Sequence, residues 1–224
     1  MDVPEIDVGQ ALATFSRLPV RERLFVRGRL WTAPLVEVCR RAPAGLVADV
    51  GCGHGLASAL LAVGRTDRTV VAVDPDPKKI SLARLGPGQL SNVSFRQGTI
   101  ERLLLELEGR LDAVLVLDVL YLLPGDGWPA FFGGCYRLLK PGGTLLLKEA
   151  EAGRSWKSWK CLAQEQLMVR LLQRTRSSGG LRLISRREAG DLLRAQRLEL
   201  VDTVDLSRGY STPHVLFIAR RPDW

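Results

Sequence analysis

The sequence predicts an α/β protein built on a largely parallel sheet, and three observations carry that prediction. Short apolar runs alternate with helix-like segments through the middle of the chain. A glycine loop follows the first of those runs and opens a helix. Near the C-terminus the alternation stops, and two strand-like runs joined by a turn close the chain.

Taken in order, helical periodicity covers roughly 11–41, with breaks near Pro19 and Pro34. Leu46-Val-Ala-Asp-Val50 predicts the first strand, and an Ala/Leu-rich helix starts at Leu56. The second strand is Thr69 to Val73, the third Val93 to Arg96, the fourth Asp112 to Leu117 and the fifth Gly143 to Lys148. Helices between them supply the crossovers that parallel strands need. A long helix-like stretch from Ser155 to Thr175 and a second from Ser185 to Arg194 follow. The last strands are Leu198 to Leu206 and His214 to Ala219. Their link, Ser207-Arg-Gly-Tyr-Ser-Thr-Pro213, has the residues of a hairpin turn.

Composition narrows the class. At 224 residues, 46% hydrophobic and 25% charged, the chain holds one well-cored domain with room for a small cap. No apolar run is long enough to span a bilayer, and the acidic start MDVPEIDVGQ is not a secretory signal. Cys39, Cys52, Cys135 and Cys161 form no CxxC pair. Cys39 and Cys135 fall in expected helices and Cys52 in the glycine loop, which excludes a disulfide framework and fits a reducing cytoplasm. His54 and His214 lack ligand spacing, so no metal site is expected. The net charge is +8, and most of the excess lies between Arg154 and Glu188, with nine basic residues against two acidic ones.

Asp49-Val-Gly-Cys-Gly-His-Gly55 sits where a strand becomes a helix. Glycines there allow a tight turn and a close approach of backbone to ligand, beside free N–H groups. The second strand ends in Asp74, whose carboxylate can accept bonds from ribose hydroxyls. The loop is GxGxG rather than the GxGxxG of dinucleotide sites, and it begins with a carboxylate that would repel a pyrophosphate but attract an ammonium.

In combination these motifs resemble those of the class I S-adenosylmethionine-dependent methyltransferases, from about Leu46 to Ala219. VADVGCGHG is similar to the family's first motif, VVAVDPD to its acidic second-strand motif and FRQGTIERL to its third-strand segment. Asp118-Val-Leu-Tyr121 follows the fourth strand and Leu-Lys-Pro141-Gly-Gly-Thr-Leu leads into the fifth. The resemblance implies a Rossmann-like seven-stranded sheet of order 3-2-1-4-5-7-6, mostly parallel with an antiparallel last strand and helices on both faces. It also implies a methyltransferase domain over 46–224, a helical arm over the cofactor site in 1–45 and a helical cap inserted at about 152–183.

The implied cofactor is S-adenosylmethionine, with S-adenosylhomocysteine as product. On this reading Asp49 holds the methionine ammonium, and Gly51, Cys52, Gly53 and Gly55 form the backbone cradle. Asp74 takes the ribose hydroxyls beside Pro75 and Asp76. Gly98, Thr99 and Ile100 border the adenine, with Thr99 standing where the family more often has Asp or Glu. Asp118 and Val119 flank the methionine end.

Methyl transfer from a sulfonium needs positioning above all, and a base only where the acceptor carries a proton. The candidates at the carboxyl ends of strands four and five and in the hairpin are Tyr121, Lys148, Glu149, Tyr210 and His214. His214 is either a base or a histidine bonded to backbone, and Glu149 either touches substrate or pairs with a basic neighbour. His54 reads as shaping the loop. In the arm, Arg29 or Trp31 is a candidate to line the site. The Asn/Asp-Pro-Pro-aromatic tetrapeptide of base amino methylases is not present after strand four, which disfavours methylation of base amino groups.

The expected acceptor is therefore small and hydrophobic or lipid-like, methylated on oxygen or carbon. RNA or protein methylation and a non-catalytic cofactor-binding role are the alternatives. In the expected cap, Trp156, Trp159, Ala163, Leu167 and Leu171 recur at helical spacing among Lys157, Lys160, Arg170 and Arg174. That stripe and its charges either pack on the domain, touch a membrane or meet an anionic soluble substrate or nucleic acid, and the expected location is cytoplasmic, with membrane contact at the periphery through this cap.

Overall fold

The computed structural model describes residues 6–151 and 183–223. The expected cap, with its Trp156 stripe and Cys161, lies outside the described residues except at its last position. Three helices come first: α1 (Val8–Ala13), α2 (Val20–Thr32) and α3 (Leu35–Arg40). The breaks fall at Pro19 and Pro34, as the sequence predicts, and each proline stands immediately before a helix.

Seven strands then form one sheet of order β3-β2-β1-β4-β5-β7-β6. They are β1 (Gly45–Val50), β2 (Arg68–Asp74), β3 (Val93–Gln97), β4 (Leu111–Leu117), β5 (Leu139–Ala150), β6 (Glu199–Asp205) and β7 (His214–Arg220). The first five run parallel, and β7 lies antiparallel to both β5 and β6. This is the expected architecture. The one notable difference is β5, which begins four residues before the expected Gly143 because Leu139 already pairs with Leu111 across an irregular register.

Side-chain alternation divides the core into two layers. Val47, Val70, Ala72, Ala113 and Leu115 face α1 to α3, α4 (Leu56–Ala62) and α5 (Pro77–Leu85). Ala48, Val71, Val73, Val114 and Val116 face α6 (Ile100–Leu107), α7 (Trp128–Leu138) and the Arg186–Ala195 helix. Every residue of α4 is buried, which its Leu-Ala-Ser-Ala-Leu-Leu-Ala sequence permits without stranding a charge.

The parallel strands β1 to β4 end together at one edge, where β1 changes neighbours between β2 and β4. Such a switch point leaves a crevice outside the carboxyl ends of the strands. Antiparallel β7 starts at that same edge, since His214 pairs with Ala150 at the end of β5.

Candidate active site

A cleft of about 1370 Å³ occupies that edge. On the β1–β3 side it is lined by Asp49, Gly51, Cys52, Gly53, His54, Asp74, Pro75, Gly98, Thr99 and Ile100. Asp118, Val119 and Tyr121 line it beyond β4, as do Thr212 and His214 beyond β5. Phe25, Val26, Arg29 and Thr32 of α2 complete the wall.

The glycine loop is stitched to the end of β2. Gly51 and Cys52 donate to the Val73 carbonyl at 2.8 and 3.1 Å, and Gly53 donates to Asp74 Oδ2 at 2.9 Å. Two of the glycines lack a side chain for different reasons. Gly51 has φ +78°, and a Cβ there would lie 2.5 Å from Val119 Cγ2, so packing already demands glycine. Gly53 has φ +56°, but a Cβ there would meet nothing within 4 Å. Its bare Cα faces open cleft, as a backbone surface shaped for close ligand contact should.

Two carboxylates flank the loop. Asp74 is fixed through both oxygens, by Gly53 N and by Asp76 N at 2.9 Å each. Asp49 is buried and accepts the Ser58 hydroxyl at 2.6 Å. Burial pushes its carboxyl up to about 6; Ser58's hydrogen bond opposes the rise and the Asp74 charge adds to it. At the end of β3, the Thr99 hydroxyl donates to the Glu101 carboxylate, and both residues line the cleft. Thr99 thus has an acidic partner two residues later in the chain.

Beyond β4 the cleft floor is a cluster of buried charges. Asp118 has φ +59°, an uncommon conformation for a residue with a side chain. Its Oδ1 accepts from Lys148 Nζ at 2.5 Å and its Oδ2 from Arg29 Nη2 at 2.6 Å. Burial acts to raise the Asp118 carboxyl, but the charges of Lys148 and Arg29 outweigh it and hold it well below the usual range. Lys148 is 0% exposed, and burial depresses its ammonium against the attraction of Asp118. Glu149 is raised to about 8, by burial first and the Asp118 charge second.

Glu149 does not line the cleft. Its Oε1 accepts from the backbone N–H groups of Val119 and Leu120, at 2.9 Å each, and so holds the turn Leu120–Leu122 that carries Tyr121. Trp128 Nε1 supports the same turn by donating to the Leu120 carbonyl. The expected contact of Glu149 with an acceptor is therefore replaced by support of this turn, because the side chain is enclosed behind it.

His214 lies at the cleft wall with Nε2 3.0 Å from the Thr32 carbonyl and 2.9 Å from Thr212 Oγ1. A carbonyl only accepts, so Nε2 carries the proton and Nδ1 the lone pair. Nδ1 is buried and has no hydrogen-bond partner among the described residues. Burial, helped by the Lys148 charge, lowers the imidazole to about 4 and keeps it neutral. Tyr210 packs edge-on against His214 at 5.3 Å but does not line the cleft, and Gly55 also lies behind it, against Phe95.

Helix α2 closes the arrangement through three ties. Glu22 Oε2 meets His54 Nε2 in the glycine loop at 2.9 Å, Arg29 meets Asp118, and the Thr32 carbonyl meets His214. Of the two arm candidates, Arg29 lines the cleft; Trp31 does not and is 84% exposed. Sequence reasoning named Lys148 at the end of the fifth strand without its pairing to Asp118, and it missed Glu101.

A family model described as a methyltransferase domain matches residues 47–143. A ubiquinone biosynthesis O-methyltransferase of Xanthomonas campestris pv. campestris is 40% identical over 106 residues, which are 47% of this chain and 43% of that one. The chain thus spans less than half the length of several curated relatives it matches. A protein of the same name from Azotobacter vinelandii is 30% identical over 171 residues, covering 75% of this chain and 70% of the relative. The chain belongs to the class I S-adenosylmethionine-dependent methyltransferases.

The fold agrees with that membership. A Burkholderia thailandensis 1,6-didemethyltoxoflavin-N1-methyltransferase superposes with a TM-score of 0.65 at 19% identity, over 100% of this chain and 94% of that one. In the present chain the residues expected at the cofactor all border the cleft described above, apart from Gly55.

Proposed function

We propose that this protein transfers a methyl group from S-adenosylmethionine to a hydroxyl of a small hydrophobic acceptor. The observation that carries the reading is one cleft with two chemically distinct ends. One end has Asp49, Gly53 and Asp74 around open backbone, and the other has a neutral imidazole whose Nδ1 is buried without a partner.

The first end fits the cofactor by charge and by shape. Asp49 holds the ammonium, Gly53 presents its bare backbone to the methionine moiety, and Asp74 accepts the ribose hydroxyls through its remaining lone pairs. Pro75, Gly98, Ile100 and the Thr99–Glu101 pair border the adenine. Asp118 and Val119 close the methionine end, with the carboxylate of Asp118 oriented by Lys148 and Arg29. When bound, the cofactor supplies an electrophilic methyl on its sulfonium.

The second end fits the acceptor. Phe25, Val26, Leu35, Tyr121 and Leu122 give that cleft an apolar wall, which binds a hydrophobic ring or chain and excludes water. With its ring turned so that the now enclosed Nδ1 reaches the cleft, His214 takes the hydroxyl proton as the O–C bond forms and the S–C bond breaks. The names of the relatives, which are O-methyltransferases of ubiquinone biosynthesis, support oxygen as the atom methylated and a hydrophobic ring as its carrier.

His214→Ala tests the reading. Loss of the base lowers turnover by roughly 10²–10⁴ with S-adenosylhomocysteine affinity retained. Unchanged turnover would remove His214 from the chemistry, and turnover falling only with cofactor affinity would reduce it to a support of α2.

A further inference from the structure

We infer that the outer face of α2 docks on an anionic lipid bilayer. Val20, Leu24 and Trp31 are 63, 61 and 84% exposed. Their spacing of four and seven residues puts all three on one narrow stripe of the helix. The opposite face is the one already committed to the protein, with Val26 buried, Glu22 tied to His54, and Arg29 tied to Asp118. Val20, Leu24 and Trp31 thus form an apolar stripe on the side of α2 that is not covered within the described residues.

Charge identifies the occupant. Arg21 and Arg27 are exposed on α2 beside the stripe, and Arg17 is exposed just before the helix. Glu22, the only acidic residue of α2, is on the buried side. A tryptophan with aliphatic neighbours, edged by guanidinium groups on a helix whose one carboxylate is turned inward, matches a membrane interface: rings and methyl groups enter the acyl boundary while arginines meet lipid phosphates. A second copy of this chain, itself carrying net charge +8, would bring arginines against arginines. The site stands whether or not the acceptor assigned above is correct. If that acceptor is lipid-like, α2 also places the cleft beside the bilayer, because its inner face is a cleft wall.

Sedimentation of the full chain with phosphatidylcholine vesicles, with and without phosphatidylglycerol, tests the inference. The wild type is expected to pellet with the anionic vesicles and to remain in solution with the neutral ones. Leu24→Gln/Trp31→Gln is expected to reduce binding to anionic vesicles at least about tenfold, and Arg21→Gln/Arg27→Gln to weaken it and make what remains less sensitive to salt. All four side chains are exposed, so both variants should keep the wild-type melting temperature and S-adenosylhomocysteine affinity. A wild type that ignores anionic vesicles would overturn the inference. Undiminished binding by the Leu24/Trp31 variant would do the same, assigning membrane contact to another surface. So would a change of oligomeric state in that variant without a change in vesicle binding.

Discussion

Arg29 and Asp118 stand 89 residues apart in sequence and meet at 2.6 Å across the cleft, so the first helices of the chain are tied to the end of the fourth strand. The same carboxylate holds Lys148 from below. Asp118 is therefore the junction between a surface helix, the cleft floor and a buried ammonium. Its positive φ sets it apart from ordinary turn residues, since the backbone must adopt a costly conformation to aim the side chain at both partners.

Removing that junction should be expensive. In Asp118→Asn the helical-left backbone is still tolerated, but Lys148 is left enclosed without a counter-charge, at a cost of about 3–5 kcal/mol. The double variant Asp118→Asn/Lys148→Met should recover part of the loss, because it removes both charges together. Chemical denaturation of the two variants checks this; a single variant as stable as wild type would show that Lys148 is neutral in the folded protein.

Glu149 gives a sharper contrast between two substitutions. Glu149→Gln keeps the Oε1 acceptor for Val119 and Leu120 and should fold with near wild-type stability. Glu149→Ala leaves two buried backbone donors unsatisfied, each costing about 1–3 kcal/mol, and should loosen the turn of Tyr121. Its carboxyl is raised by burial, so the folded form binds a proton that the unfolded form releases above its ordinary value. Stability from this group is thus present below about pH 4.5 and declines as pH rises towards 8. Melting temperature measured across that range should show a drop for the wild type that Glu149→Gln lacks.

The two loop glycines should fail in different ways. Gly51→Ala forces a methyl against Val119 and lowers stability by about 1–3 kcal/mol. Gly53→Ala adds only the strain of its positive φ, about 1 kcal/mol, yet projects a methyl into the cleft. Calorimetry with S-adenosylhomocysteine should find binding lost in a folded Gly53→Ala protein. Retained affinity would place the ligand elsewhere.

Asp49 makes cofactor affinity depend on pH. Its carboxyl is raised to about 6, so it protonates earlier than a solvated aspartate as pH falls, while an ammonium ligand needs it ionised. Affinity for S-adenosylhomocysteine should be level above pH 7 and fall by about tenfold per unit below 6. In Asp49→Asn it should be weaker throughout and lose this dependence.

Much of the fold was legible from residues in local patterns. Strand positions followed from runs such as Thr69 to Val73, and the site's cofactor end from glycines and Asp74 within one stretch of chain. What was hidden depends on pairing over long separations. Nothing in the surroundings of Arg29 and Trp31 says which faces the cleft, since the answer rests on Asp118 and on which side of α2 is buried. Glu149 looked like a reactive acid at a strand end because its partners are backbone N–H groups, which every residue has and no sequence displays. Lys148 stood out at the end of the fifth strand, but its burial was hidden because it comes from β7 packing beside β5.

The central claim is methyl transfer to a hydrophobic hydroxylated acceptor, and one measurement meets it directly. Labelled methyl from S-adenosylmethionine is supplied with a host-cell extract, the products are partitioned between organic and aqueous phases, and Asp74→Ala serves as control. The account predicts label in the organic phase as an O-methyl ether, lost in the control. Label confined to RNA, protein or other aqueous products, or an organic product that persists undiminished in the control, would contradict it.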